Sequence, residues 1–410
     1  MNRSTFLKLT GTFIGGQLVL PHFLHAAQKI RTDSILSNNT IVFIQLNGGN
    51  DGLNTFIPYN DPMYYANRPI IAIPKEQVIR VSDSMGLHPN LKGLAQIQQD
   101  GNLWILQNVG YPQPNRSHFR SMEIWQTATA SNEYTNYGWL GRYLDHQFHD
   151  SHLNVKNKAS EDDAVDNLPY SLEALNIDSI NNLALIGQNA LPITISNVNL
   201  TKEGILNQPL SDEPLGKYPA LDFVRKIAKT SVEGDAAIKK ALNNVSVTEN
   251  FPNTDIGNRL KWISLLIKGN LSSPIFYTSH SGYDTHDNQK DRQATLFNQL
   301  DQAVTSFYNE LKNSGHLEKV TVVIFSEFGR RVKDNGKGTD HGTAAPMFVI
   351  DGSQKGKIIG TNPNFTNLDN GDLIYQQDFR SVYASLLKQK LAFDPKMINI
   401  QNNIIEGFLG

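Results

Sequence analysis

Six short runs of apolar residues, spaced along the chain and separated by longer amphipathic stretches, constrain its fold more than any other feature. They are Ile41–Leu46, Leu103–Gln107, Leu183–Ile186, Pro274–Thr278, Val320–Phe325 and Met347–Ile350. Continuous apolar runs of this length, bounded by Gly, Asn and Asp, suit strands buried on both faces of a sheet. Between them lie helical patterns. The clearest runs from His286 to Ser314, with Leu296, Leu300, Ala303, Phe307 and Leu311 on one stripe and Gly315 placed to end it. Strand–helix–strand alternation predicts an α/β sandwich: a mostly parallel central sheet with helices on both faces.

The chain has 410 residues, of which 39% are hydrophobic, enough to bury a large core as one domain from 38 to 410. Polar stretches around 145–166 and a mainly helical, lid-like stretch around 205–253 read as insertions in that domain. The formal net charge of −2 supplies no basic footprint for nucleic acid. There is no cysteine, which excludes disulfides, thiolate zinc sites and cysteine nucleophiles together.

Residues 1–27 read as an export segment. Arg3 and Lys8 are its formal charges, the apolar run Leu9 to Leu24 follows, and Ala26-Ala27 supplies small residues for cleavage. Asn2-Arg3-Ser4-Thr5-Phe6-Leu7-Lys8 resembles the twin-arginine export pattern, with Ser4 in place of the second arginine. The apolar run is short for a membrane span and is interrupted by Gly11, Gly15 and Gly16. The expectation is an exported, periplasmic chain with no stable transmembrane segment once the signal is removed.

Polar motifs follow several of the runs. Ligands of open α/β sheets bind beyond the carboxyl ends of the strands. Asp51, in Asn47-Gly48-Gly49-Asn50-Asp51-Gly52, is a metal-ligand carboxylate or part of an ordinary Asn-Asp-Gly turn. Ser117, in Asn115-Arg116-Ser117-His118-Phe119, opens a helical stretch. It is a nucleophile favoured by the helix N-terminus, or simply the helix cap. His118 is a candidate general acid or base, or a packed or capping histidine. Asp284 and His286, two apart, point to one side of an extended segment and can reach one ion; alternatively Asp284 starts the next helix. Glu327, ending a strand, needs a metal or a partner such as Arg330 or Arg331. In Thr339-Asp340-His341-Gly342-Thr343 one of Asp340 and His341 can ligate while the other orients it, unless this is a plain solvent loop.

Together these motifs, with Gly138-Trp139-Leu140-Gly141-Arg142, Tyr283-Asp284-Thr285-His286 and Ser326-Glu327-Phe328-Gly329-Arg330, resemble a widespread bacterial family of exported proteins of unknown function. That family is similar in plan to the alkaline phosphatase and sulfatase superfamily. The resemblance implies a metal-dependent hydrolase of phosphate or related esters acting on a small or polymer-borne anionic substrate. Asp51, Asp284, His286, Glu327 and His341 are then the metal ligands, with Asp340 in reserve, Ser117 the nucleophile, and Arg116, Arg120 or Arg330 the anion clamp. Phe328 stands where the superfamily has a second histidine, so a two-zinc arrangement lacks one imidazole; Zn, Mn, Mg and Ca all stay open, singly or in a mixed site. A sulfatase-type Cys/Ser-x-Pro-x-Arg motif is absent at Ser117. The rival expectation is a non-catalytic metal-binding or interaction protein on a degenerate hydrolase scaffold.

Overall fold

The computed structural model describes residues 39–148, 172–188, 190, 192–196, 234 and 237–410. The export segment, most of the 145–166 stretch and 205–233 of the second insertion lie outside the described residues. Of the first insertion, Asp145 to Phe148 continue a helix and are not loop. Of the second, 237–242 are helical, with Ala237, Ile238 and Ala241 buried.

The chain builds a nine-stranded sheet from β1 (Thr40–Asn47), β2 (Leu103–Gly110), β3 (Leu175–Asn176), β4 (Ile193–Thr194), β5 (Ile275–Ser281), β6 (Val320–Ser326), β7 (Ala345–Asp351), β8 (Ile358–Ile359) and β9 (Gln377–Asp378). Their order is β8-β2-β7-β6-β1-β5-β3-β4, with β9 also on β2. β1 pairs in parallel with β5 and β6, whereas β7 runs antiparallel to both β2 and β6. The remaining pairings, β3 with β4 and β5, and β2 with β8 and β9, are parallel. This is a mostly parallel sheet with one reversed strand, and the reversal matters for the site. The carboxyl ends of β1, β2, β5 and β6 share one edge, and the amino end of β7 lies on that same edge.

Five of the six apolar runs are strands of this sheet. The sixth is not: Leu183–Leu185 forms a 3-10 turn, because the Asn182 side chain accepts from Ala184 N and caps it. The strands at that side of the sheet are β3 and β4 instead. Alternation along the strands sends side chains to two faces. Val42, Ile44 and Leu46 of β1 join a core with α1 (Lys92–Gln99), α4 (Asp255–Lys268) and α5 (Gln289–Asn313). Ile41 and Phe43 join a second core with α2 (His118–Thr127), α3 (Trp139–Phe148) and α6 (Phe379–Lys390). Helices therefore cover both faces. α5 begins at Gln289, three residues later than its periodicity suggested, and ends before Gly315 at φ +73°. Its core stripe contains Phe297, Leu300, Ala303, Phe307 and Leu311, with Leu296 only half-buried. Among the described residues no helix is long and apolar enough to cross a membrane.

One buried histidine of this scaffold yields a test. His88 accepts a hydrogen bond from Asn90 N at 3.1 Å and meets the Phe297 ring edge-on at 5.0 Å between centroids. Burial pushes its pKa down from 6.5 to about 4, against the opposing pull of Asp51. The unfolded chain then binds a proton more tightly than the folded one. The stability contributed is fully present above about pH 6.5 and lost as pH falls toward 4. We expect His88→Gln to flatten the melting temperature over that window, removing a term on the order of 3 kcal/mol. Equal acid sensitivity in the two proteins would count against it.

Candidate metal centre

The site is assembled from loops that leave the shared edge of the sheet. After β1 the chain turns through Gly48 and Gly49, at φ +119° and +68°. No side chain fits at either position: a Cβ on Gly48 would lie 2.3 Å from Asp284 N, and one on Gly49 2.1 Å from the Phe328 ring. This close approach brings the loop after β5, with Asp284 and His286, against the loop after β6, with Glu327 and Phe328. The segment after β2 contributes Arg116, Ser117 and His118, and the segment before the reversed β7 contributes Asp340 and His341.

Three imidazoles meet at one carboxylate. His286 Nε2 lies 3.0 Å and His341 Nε2 3.1 Å from Asp284 Oδ1, and His118 Nε2 lies 3.5 Å from Asp284 Oδ2. The Nε2 atoms of His286 and His341 are 3.0 Å apart. The opposite nitrogen of each ring is held by an acceptor: His118 Nδ1 by Glu327 Oε1 at 2.9 Å, His286 Nδ1 by Asp340 Oδ1 at 3.1 Å, and His341 Nδ1 by the Arg116 carbonyl at 2.7 Å. An Nδ1 facing an acceptor carries the proton, so in each neutral ring Nε2 presents a lone pair inward. His118 Nε2 is buried without a hydrogen-bond partner. His118, Asp284 and His341 offer ligand atoms within 4.8 Å of one another, a grouping that can hold a metal ion.

The surroundings tune these groups. The Glu327 hydrogen bond raises the His118 pKa, outweighing burial. Burial lowers that of His341. At Asp284 burial acts to raise the pKa, but Arg330, by its hydrogen bond and its charge, prevails and holds it at about 2. Asp284 stays ionised at neutral pH and is 48% exposed, so the cluster opens to solvent. Phe328, where the superfamily resemblance placed a second histidine, is buried, and its ring centroid lies 4.9 Å from those of both His118 and His341. It walls the imidazoles and supplies no ligand.

The other expected site residues have these partners. Asp51 is not in the cluster. Its Oδ2 is bound by the buried Arg68 guanidinium and by Gln289 Nε2, and its Oδ1 accepts from Leu53 N at 3.2 Å, so its charge is matched within the protein. Glu327 pairs with neither Arg330 nor Arg331. It is wholly buried and accepts from Gly48 N and Ser326 Oγ besides holding His118. Asp340 orients His286. Asp284 caps no helix, because α5 starts later. Arg330 is buried, and its guanidinium reaches five acceptors: Nε donates to Gly49 O, Nη1 to Thr339 O, and Nη2 to Gly48 O, Tyr283 O and Asp284 Oδ1. It ties the loops together. The Arg116 guanidinium pairs with Asp372, and that of Arg120 meets Glu123 through Nη1 and the Ser131 and Glu133 carbonyls through Nη2. Ser117 occupies the N-cap position of α2, but its side chain makes no capping bond and is exposed.

Local sequence marks His118 for acid–base chemistry or for packing, not for the ligand cluster, and marks neither Arg68 nor Gln289. The one available signal was the rule that a buried carboxylate such as Asp51 must find a cation or donors. Nothing local said which.

A mostly parallel α/β sheet with a histidine–carboxylate cluster beyond its strand ends is the scaffold of an open α/β sheet whose ligand crevice lies at that edge. Residues 272–391 match the family described as "Protein of unknown function (DUF1501)", a stretch that includes the segments of Asp284, His286, Glu327 and His341. A search of curated proteins finds no match. Solved structures similar to this chain include a protein of the alkaline phosphatase superfamily from Vibrio parahaemolyticus, 11% identical, with 89% of this chain and 72% of that one covered at a TM-score of 0.37. Another is Ps i-CgsB in complex with a neocarrahexaose, 10% identical over 78% of this chain and 68% of that one, TM-score 0.37. A third is the C-terminal periplasmic domain of EcEptC from Escherichia coli in complex with Zn, 11% identical over 77% of this chain and 73% of that one, TM-score 0.36.

Proposed function

We propose that His118, His341 and Asp284, with His286 beside them, bind one divalent metal ion, and that the protein is an exported metal-dependent hydrolase of phosphate or related esters with Ser117 as nucleophile. One observation carries the metal reading: three Nε2 lone pairs are turned by their Nδ1 partners onto the oxygens of an ionised carboxylate. Acceptor faces acceptor at about hydrogen-bond distance, and a cation resolves that conflict. The donor set is richer in nitrogen than the sequence suggested. Imidazoles with one carboxylate suit Zn²⁺ or Mn²⁺ better than Ca²⁺ or Mg²⁺.

When bound, such an ion supplies Lewis acidity and lowers the pKa of a nearby hydroxyl. The chain's own residues do the rest. Arg116 and His118 flank Ser117 in the chain and are both tied to the cluster, through the Arg116 carbonyl and the His118 ring. The hydroxyl is free of capping duty. The first N–H groups of α2 have no intrahelical acceptor and point toward an anion placed there. Ser117 Oγ forms a bond to phosphorus as the bond to the ester oxygen breaks. The hydroxyl proton passes to solvent and the leaving oxygen takes one from it; water then cleaves the phosphoserine and restores the hydroxyl.

A second reading, a non-catalytic metal-binding protein, is favoured by a different observation: Arg116, Arg120 and Arg330 each already have acceptors within the protein. Metal analysis of the purified protein with a screen of phosphomonoesters, phosphodiesters and sulfate esters separates the two. Ser117→Ala should keep the metal and lose turnover by a factor of at least ~10³, as for an essential nucleophile. Undiminished turnover in Ser117→Ala would dismiss the serine mechanism, and metal without turnover on any ester would favour the second reading.

A further inference from the structure

Arg68 sits with no solvent exposure in a shell of oxygen acceptors. Nη1 donates to Asp51 Oδ2 and to Asn54 Oδ1 at 3.0 Å, Nε to Val332 O at 2.9 Å, and Nη2 to Arg331 O at 2.8 Å. Asp51 Oδ2 also accepts from Gln289 Nε2, the first residue of α5. Gln289 is fully buried and turns its Oε1 to Thr339 Oγ1 at 2.6 Å. Its amide orientation is fixed, since a carboxylate at one end demands the NH₂ and the hydroxyl at the other donates to the oxygen. Thr339 directly precedes Asp340, which orients His286, and His341, whose Nε2 faces Asp284. A parallel link reinforces this path: Arg331 N donates to Asp340 O at 3.0 Å, so the Arg68 contact to the Arg331 carbonyl reaches the same loop.

We propose that Arg68, Asp51, Gln289 and Thr339 form a buried positioning relay for the 339–341 loop, that Asp51 is a positioning residue and not a metal ligand, and that the chain therefore holds a single ion. The proposal rests on the metal reading above. It follows from saturation: the Asp51 oxygens have three donors, and its charge faces a fixed guanidinium. A second cation at Asp51 would have to displace those donors and would be repelled by Arg68. The relay sets where His341 Nε2 lies, and supporting hydrogen bonds of this kind govern metal affinity without touching the ion.

Zn²⁺ titration of metal-free protein by calorimetry at pH 8 tests it with wild type, Asp51→Asn and Thr339→Val. All three are expected to bind one Zn²⁺ per chain, with both variants weaker by about 10–100-fold. Asp51→Asn leaves Arg68 buried without its counter-charge and can fail to fold. Thr339→Val removes only a hydroxyl at constant volume and carries the test alone in that case. Thr339→Val with wild-type zinc affinity overturns the relay, including when its melting temperature without metal has dropped, since that is what a merely structural role produces. Two Zn²⁺ per wild-type chain, one of them lost in Asp51→Asn, makes Asp51 a ligand and overturns the proposal while leaving the metal reading intact. No Zn²⁺ bound by wild type removes the metal reading and the relay's purpose with it.

Discussion

Stripping divalent ions with a chelator is expected to lower the melting temperature of the wild-type protein, and Asp284→Ala or His341→Ala is expected to abolish that response. The ligand residues are spread along the chain from His118 to His341, so the unfolded state offers no assembled site and binding stabilises only the folded one. At a free-ion concentration a thousandfold above the dissociation constant the gain is about 4 kcal/mol, on the order of 5 °C for a domain of this size. Asp284 is the sharper variant, because it is the carboxylate shared by all three imidazoles and by Arg330. Replacing it removes the anion at the centre of the cluster and leaves the rings with no charge to share. Calorimetric scans with and without chelator, paired with elemental analysis, read the effect. Superimposable wild-type scans, with no ion found, would sink both the hydrolase and the metal-binding readings. The cluster would then be a set of imidazoles sharing protons with Asp284.

Arg330→Met should be the most damaging single substitution near the site. It leaves the carbonyls of Gly48, Gly49, Tyr283 and Thr339 without this donor and Asp284 without its guanidinium. Removing one partner from a buried charged network costs about 3–5 kcal/mol. Those carbonyls belong to the loop after β1 and to the two loops that carry Asp284 and His341, so metal affinity should fall together with stability. Arg330→Lys should rescue little, because an ammonium cannot reproduce a planar fork that reaches five acceptors. Urea unfolding of the metal-free variant measures the first effect and zinc titration the second. A variant of normal stability with only a raised KM for an ester would instead restore Arg330 to the anion-clamping role expected from sequence.

Much of this was legible in the chain itself. The apolar runs that became β1, β2, β5, β6 and β7 were readable because a strand buried on both faces leaves a local signature: a few residues of unbroken apolarity with turn formers at the ends. The run Leu183–Ile186 misled for the same reason. Its apolar content is real, with Ala184 and Leu185 buried, but one capping side chain at Asn182 decided its backbone. The segments of Asp284, His286 and His341 also stood out locally, since acidic and histidine residues among Gly and Thr at sheet ends are a short-range pattern.

What the sequence determined by itself was therefore which segments are strands and which polar residues stand at their ends. Who partners whom was decided only by the tertiary structure. His341 precedes its strand while Asp284 and Glu327 follow theirs, and they share one edge only because β7 runs antiparallel to β6. Glu327 took His118, 209 positions away, and left Arg330 to Asp284; Asp51 took Arg68, 17 positions on, in a segment with no feature to mark it. A carboxylate's need for a partner is intrinsic to its charge, but the choice of cation depends on which groups the fold brings within ~3 Å, and no local pattern encodes that distance.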